Sequence, residues 1–141
     1  MRVTVLFAVA LAHVTLAQGD DTTFAARRAT IDGTSIYYRM GGSGPAVVLL
    51  HGYAQTSRMW SRVMPQLARK FTVIVPDLPG IGESAIPATG LDILTAAKRM
   101  HALVQSLGMA KARVVGHDIG LMVAYAYAAQ YPGDVEKLAM L

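Results

Sequence analysis

Cysteine is absent from the 141 residues, which excludes disulfides, thiolate metal sites and a cysteine nucleophile. Charge is sparse: 16% of residues are charged, and 13 Lys+Arg against 9 Asp+Glu leave a net charge of +4. The cations are scattered apart from the adjacent Arg27 and Arg28, with no aromatic-studded basic stripe, so nucleic acid is not an expected partner. The four histidines, His13, His51, His101 and His117, never fall four apart on one helix with an acidic partner. That leaves no zinc pattern, and no metal or cofactor is expected. Apolar runs of the roughly 20 residues needed to span a bilayer are missing too. What is present, at 53% hydrophobic content, is the composition of one globular domain, or part of one, with a real core.

The first residues have a pattern of their own. Met1-Arg2 precedes an almost unbroken apolar run from Val3 to Ala12, followed by Thr15-Leu16-Ala17 and then Gln18-Gly19-Asp20-Asp21. A charged start, an apolar middle and small residues before a polar junction are the parts of a secretory signal. A buried strand or a membrane anchor would be the competing readings, but the run is short and His13 interrupts it. Residues 1–17 are therefore expected to be a signal peptide, residues 18–141 the mature part, and the protein exported to the periplasm or beyond.

Along the remaining chain the apolar period alternates between two and about 3.6, which predicts strands alternating with helices. Residues 25–31 and 34–40 flank Asp32-Gly33, a two-residue hairpin signal, with Ile36, Tyr38 and Met40 on one face. Ala46 to Leu50 is a continuous apolar run of the kind buried on both faces. Trp60, Val63, Met64, Leu67 and Ala68 follow a Thr56-Ser57 cap at helical spacing, interrupted by Pro65. Phe71 to Val75 predicts a strand. Ala96, Met100, Leu103, Val104 and Leu107 predict a helix that stops at Gly108. Ala112 to Val115 reads as a strand, Leu121 to Ala129 as a helix ending at Pro132-Gly133, and Lys137 to Leu141 as the start of another strand. The fold class is α/β: an antiparallel hairpin leading into parallel strands with helices on both faces.

Between the strand at Ala112 and the helix at Leu121 stand Gly116-His117-Asp118-Ile119-Gly120. Small residues two before and two after a polar residue suit a nucleophile elbow. There a sharp strand-to-helix turn lifts the central side chain out of the sheet, and flanking Cβ atoms would collide with backbone. Here the lifted residue is an aspartate. Structural turns also contain such pentapeptides, so the other segments decide its weight.

Two of them do. His51-Gly52-Tyr53-Ala54-Gln55-Thr56 follows one strand, and Asp77-Leu78-Pro79-Gly80-Ile81-Gly82-Glu83-Ser84 follows the next. With the elbow, these motifs resemble the N-terminal half of an α/β-hydrolase. More narrowly, they resemble the epoxide hydrolases and haloalkane dehalogenases, whose elbow nucleophile is aspartate, and among these the secreted Cif-like epoxide hydrolases. The resemblance spans nearly all of residues 25–141.

It implies that Asp118 attacks an sp³ carbon to form an ester, which water then hydrolyses. The backbone N–H groups of Ile119 and Tyr53 are the implied oxyanion donors. Gly52 would let the loop backbone approach the nucleophile, while Gly116, Gly120, His51 and His117 support the site. Haloalkane dehalogenases usually place tryptophan directly after the nucleophile, and fluoroacetate dehalogenases carry arginines one and four residues past it. This chain has Ile119 and Met122. A small uncharged organic substrate is implied, and epoxide opening ahead of dehalogenation. The remaining alternative is a non-catalytic binding module of the same fold.

Other polar residues take structural readings. Asp77 is expected to hold its loop through Ser84, His101 to be a surface or half-buried residue, and Tyr125, Tyr127 and Tyr131 to be packing residues. Ala54 replaces the proline common in the His-Gly-x-Pro loop. The resemblance also implies a cap with ring-opening acids, a catalytic histidine, an acidic orienter and further strands beyond Leu141. Residues 18–141 are then a partial core, and without the base, worth about 100 to 10,000-fold, their turnover alone is expected to be very slow.

Overall fold

The structure, a computed structural model, describes residues 24–141, and the expected signal over residues 1–17 lies outside the described residues. Strands β1 (Ala25–Ile31) and β2 (Thr34–Gly41) form the expected hairpin, with Ile31 opposite Thr34. Asp32 at φ 48° and Gly33 at φ 69° are both left-handed, as a two-residue primed turn requires. Ile36 and Tyr38 are buried on one face, and Met40 packs against the same cluster.

Strands β3 (Ala46–Leu50) and β4 (Thr72–Pro76) are buried at every position. With β5 (Ala112–Gly116) and β6 (Val135–Met140) they complete a six-stranded sheet of order β1-β2-β4-β3-β5-β6. β2 meets β4 antiparallel, and β4, β3, β5 and β6 run parallel. A 3-10 turn (Ser57–Trp60) and the single turn α1 (Met64–Leu67) connect β3 to β4. Helix α2 (Ile93–Ser106) connects β4 to β5, and α3 (Ile119–Gln130) connects β5 to β6.

Alternation along the strands divides the core in two. Val48, Leu50, Ile74 and Val114 face α2 and α3, with Met100, Leu103, Val123 and Tyr127 among their neighbours. Val47, Leu49, Val73 and Val75 face Trp60, Met64 and Phe24. The second layer leaves an apolar groove of about 270 Å³ over β3, β5 and β6, between Leu67, Phe71, Val115 and Leu138. Among the described residues no helix is long and apolar enough to cross a membrane.

Several boundaries differ from those expected. The helix predicted through Trp60 and Ala68 is two short pieces, because Pro65 lacks the N–H of a helix interior and sits instead in the first turn of α1. Phe71 stays outside β4, its N–H closing the preceding turn on Leu67 O at 3.0 Å. Helix α3 starts at Ile119, two residues earlier than its apolar pattern, and β6 starts at Val135. Helix α2 does stop as expected: Leu107 caps it and Gly108 follows at φ 78°. Tyr127 is fully buried and Tyr131 stacks on His101, but Tyr125 is 61% exposed and packs on nothing comparable. It lies on the outward side of α3, where the whole helix is apolar and periodicity gives no direction.

Topology positions the functional loops. The chain leaves β3 toward β4 on one side and leaves β5 toward β6 on the other, while β3 and β5 are neighbours. Loops at their carboxyl ends therefore part from one another, opening the crevice where ligands bind in such sheets.

Candidate active site

Asp118 stands in that crevice. It has φ 52° and ψ −120°, a combination that costs an ordinary residue on the order of 1–3 kcal/mol and persists only where the surroundings impose it. The surroundings here are backbone. A Cβ on Gly116 would lie 2.3 Å from Gly120 O, and one on Gly120 would lie 2.5 Å from both Leu50 O and His51 O. Only glycines at both positions let α3 begin directly against the ends of β3 and β5. The turn is further pinned by His117 N–H donating to Leu50 O at 3.1 Å, Gly120 N–H to His117 O at 2.9 Å, and Leu121 N–H to Asp118 O at 2.9 Å. Asp118 N–H itself donates to Leu141 O at 3.3 Å.

The loop after β3 comes to meet the elbow. Tyr53 N–H donates to Asp118 Oδ2 at 2.8 Å, bringing together two of the sequence-predicted site residues. Gly52 makes the approach possible, since a Cβ there would lie 3.0 Å from Asp118 Cβ and 2.8 Å from His117 Nδ1. Ile119 opens α3, where N–H groups have no acceptor within the helix. The third predicted contact thus sits at a helix N-terminus directly beside the carboxylate, which is exposed to solvent.

Buried polar groups hold the loop. His51, fully buried, has Nε2 accepting from Leu78 N–H at 2.9 Å and Nδ1 at 2.9 Å from Gly52 O, so Nδ1 carries the proton. Burial lowers its pKa, opposed by the Gly52 hydrogen bond and by Asp77. With both nitrogens engaged, the ring has none to offer a substrate. His117 lies against Gly52, and its Nδ1 is buried without a partner among the described residues. His101 is half-buried, with Nε2 at 2.8 Å from Asp134 Oδ2. Among the described residues, no histidine hydrogen-bonds the Asp118 carboxylate.

Asp77 holds its loop through Ser84 as expected, but with its backbone. Ser84 Oγ donates to its backbone oxygen at 2.7 Å, not to its carboxylate. The carboxylate instead accepts Ser57 N–H through Oδ1 at 2.6 Å and Glu83 N–H through Oδ2 at 2.9 Å. One buried anion thus ties the start of the 3-10 turn to the loop after β4. Gln55 is a second contributor without a signal of its own in the sequence: its Oε1 accepts Gly52 N–H at 3.0 Å. Gln55 N–H closes the turn on Gly52 O at 3.2 Å, with Ala54 left-handed at φ 55° at the third position. Proline could not adopt that angle, so this loop differs in conformation from a His-Gly-x-Pro loop.

A carboxylate raised on a strained turn, one oxygen held by a backbone N–H, can act as a fixed nucleophile. Known proteins are similar to this chain in sequence and fold. The chain is 43% identical over 120 residues to the soluble epoxide hydrolase of Corynebacterium sp. (strain C12), covering 85% of this chain and 42% of that protein. It is 37% identical over 123 residues to the fluoroacetate dehalogenase of Burkholderia sp., covering 84% and 40%. Among solved structures, epoxide hydrolase CorEH without ligand superposes with a TM-score of 0.81 at 43% identity, over 83% of this chain and 41% of that one. Cfl2 of Burkholderia cenocepacia superposes with a TM-score of 0.81 at 40% identity, over 84% and 41%. The chain therefore spans about two fifths of the length of these relatives. Residues 45–141 match the family described as alpha/beta hydrolase fold, and from β3 through the elbow to β6 this chain belongs to it.

Proposed function

We propose that the chain carries the nucleophile half of an epoxide hydrolase. The observation behind this reading is the 2.8 Å hydrogen bond from Tyr53 N–H to Asp118 Oδ2. It distinguishes the two carboxylate oxygens. Oδ2, already holding a donor, becomes the carbonyl oxygen of the ester and later the oxyanion, while Oδ1 is left to attack. Attack on an epoxide carbon forms the Oδ1–C bond and breaks the ring C–O bond, and the released alkoxide takes a proton. Water, giving up a proton to a base, then adds to the ester carbonyl, with negative charge developing on Oδ2 between Tyr53 N–H and Ile119 N–H. Collapse breaks the acyl C–Oδ1 bond, and the departing diol oxygen takes a proton as the carboxylate is restored.

Ile119 bears on the leaving group. Its apolar side chain offers no N–H to a departing halide and no cation to a carboxylate, which favours an uncharged epoxide over the substrates of the dehalogenase relatives. His51 is engaged by backbone and His101 by Asp134, and the Nδ1 of His117 is buried against Gly52, so none of the described histidines is placed to serve as the base for the second step. Residues of a longer protein would supply that base and the ring-opening acids. We also propose export, on the pattern of residues 1–17.

Intact-mass spectrometry of the 141-residue chain after incubation with a reactive epoxide tests the chemistry. The expected result is a single ester adduct that maps to Asp118, accumulates without sustained diol release, and disappears in Asp118→Asn. An adduct unaffected by Asp118→Asn would remove the nucleophile, and sustained diol formation would show that these residues contain their own base.

A further inference from the structure

The loop after β3, the donor loop, contains one glycine, Gly52, and with no Cβ this residue has the widest backbone freedom in the loop. The peptide that follows it carries the Gly52 carbonyl on one side and the Tyr53 N–H on the other. The described residues contain no cis peptide, and in a planar trans peptide the carbonyl and the N–H point in opposite directions. Whatever grips Gly52 O therefore aims Tyr53 N–H, which meets Asp118 Oδ2 at 2.8 Å.

One residue grips Gly52 from both ends. Gln55 N–H donates to Gly52 O at 3.2 Å, closing a β-turn whose third position is the left-handed Ala54 at φ 55°. The side chain of the same Gln55 reaches back, and its Oε1 accepts Gly52 N–H at 3.0 Å. The peptides before and after Gly52 are thus both tied to Gln55, which removes the rotation that glycine would otherwise keep. His51 Nδ1 donates to the same Gly52 carbonyl at 2.9 Å. Two donors on that carbonyl polarise its peptide, and a polarised peptide is a stronger donor through its N–H. The clamp also lies against the elbow: a Cβ placed on Gly52 would be 2.6 Å from Gln55 Oε1 and 3.0 Å from Asp118 Cβ.

We propose that Gln55 is the positioning residue of the Tyr53 donor, acting through the Gly52–Tyr53 peptide on Asp118 Oδ2. Its consequence for rate rests on Asp118 being the nucleophile, whereas its hold on the donor does not. Residue type follows from the task. The side chain must reach back three residues and end in an acceptor; glutamate keeps that acceptor, and methionine matches the length with only a weak one.

Hydrogen exchange and adduct kinetics on the 141-residue chain test this together. Gln55→Met should speed exchange of the Tyr53 amide on the order of 10-fold, the scale of one lost hydrogen bond, while the His117 and Gly120 amides keep their protection. Gln55→Glu should hold Tyr53 exchange within about 3-fold of the parent chain, because the acceptor is kept. With a reactive epoxide, Gln55→Met should lower the maximal rate of adduct formation on Asp118 by about 10-fold and leave the half-saturating epoxide concentration unchanged. Where Gln55→Met fails to fold, Gln55→Ala removes the acceptor with less crowding and must give the same pattern. Unchanged Tyr53 exchange in the acceptor-less variant overturns the proposal. So does equal loss in Gln55→Glu, or loss of protection at the elbow and the donor loop alike, which would make Gln55 a general stabiliser. A raised half-saturating concentration at an unchanged maximal rate would place Gln55 in epoxide binding and overturn it too. If the parent chain forms no adduct on Asp118, the proposed function falls, and the exchange rates still decide the role of Gln55.

Discussion

At the elbow no side chain caps the turn, and Asp118 keeps its strained backbone because Gly116 and Gly120 leave no room for anything but close backbone contact. Across the crevice, the loop after β3 is held by the polar ends of His51, Gln55 and Asp77, each engaged with backbone amides. The first loop is set by volume and the second by hydrogen bonds to buried polar groups. The difference predicts that the elbow is intolerant of a single methyl, whereas the donor loop tolerates small changes of shape and responds to protons. Both must be right for one 2.8 Å contact, Tyr53 N–H to Asp118 Oδ2, to exist.

The sharpest way to break the contrast is Gly120→Ala. Its Cβ would meet two carbonyl oxygens of backbone that cannot step aside, so a loss of about 3 kcal/mol or more is expected in chemical denaturation. A loss below about 0.5 kcal/mol would mean the elbow is held by something other than fit. Next is Asp77→Ala, which strands the Ser57 and Glu83 amides in a buried site and should cost about 3 kcal/mol. It should also free the Tyr53 amide to exchange while the amides of His117 and Gly120 stay protected. Equal loss of protection in both loops would erase the distinction.

Protonation separates the loops without mutation. The pKa of His51 is lowered in the folded chain from an ordinary 6.5, so below that value the unfolded chain takes up a proton that the native ring resists. Stability should be fully present above pH 6.5 and fall as pH drops through the native pKa, with a smaller slope in His51→Gln. An unchanged slope would exclude His51 as its source. The smallest effect is expected at Ala54→Gly: relief of a left-handed alanine at φ 55° should add about 1 kcal/mol to the melting free energy, and Ala54→Pro should lose the loop. Destabilisation by glycine would show that unfolded-state entropy outweighs the strain.

Legibility followed the same division. The elbow is contiguous, and small residues on either side of Asp118 state its steric demand within five letters, so its position and shape are legible in the sequence. Strand β3, buried throughout, is legible as an unbroken apolar run. The bracing of the donor loop was not readable. Asp77 joins Ser57 to Glu83, residues 20 and 6 positions away, and an aspartate in a loop carries no mark of which amides it will accept. Ser84 followed Asp77 into the site as expected but bonded its carbonyl, because the carboxylate was already engaged. Tyr125 was misplaced among the packing residues since α3 is apolar on every side, so its period could not tell the outward face from the core. Ala54 gave no hint of φ 55°, an angle that glycine or asparagine would have advertised.

The contact between Asp118 N–H and Leu141 O has a consequence for the order of folding. Leu141 N–H in turn donates to Gly116 O at 2.9 Å, so both sides of the strained turn are pinned by the residue that follows β6. Pairing of β6 with β5 is parallel and waits on the α3 crossover, a non-local closure that comes slowly. Until it is made, nothing on that side holds Asp118 away from an ordinary backbone angle. Asp118 is therefore among the last parts of the chain to take its shape, and a nascent chain acquires a sheet before it acquires the raised carboxylate.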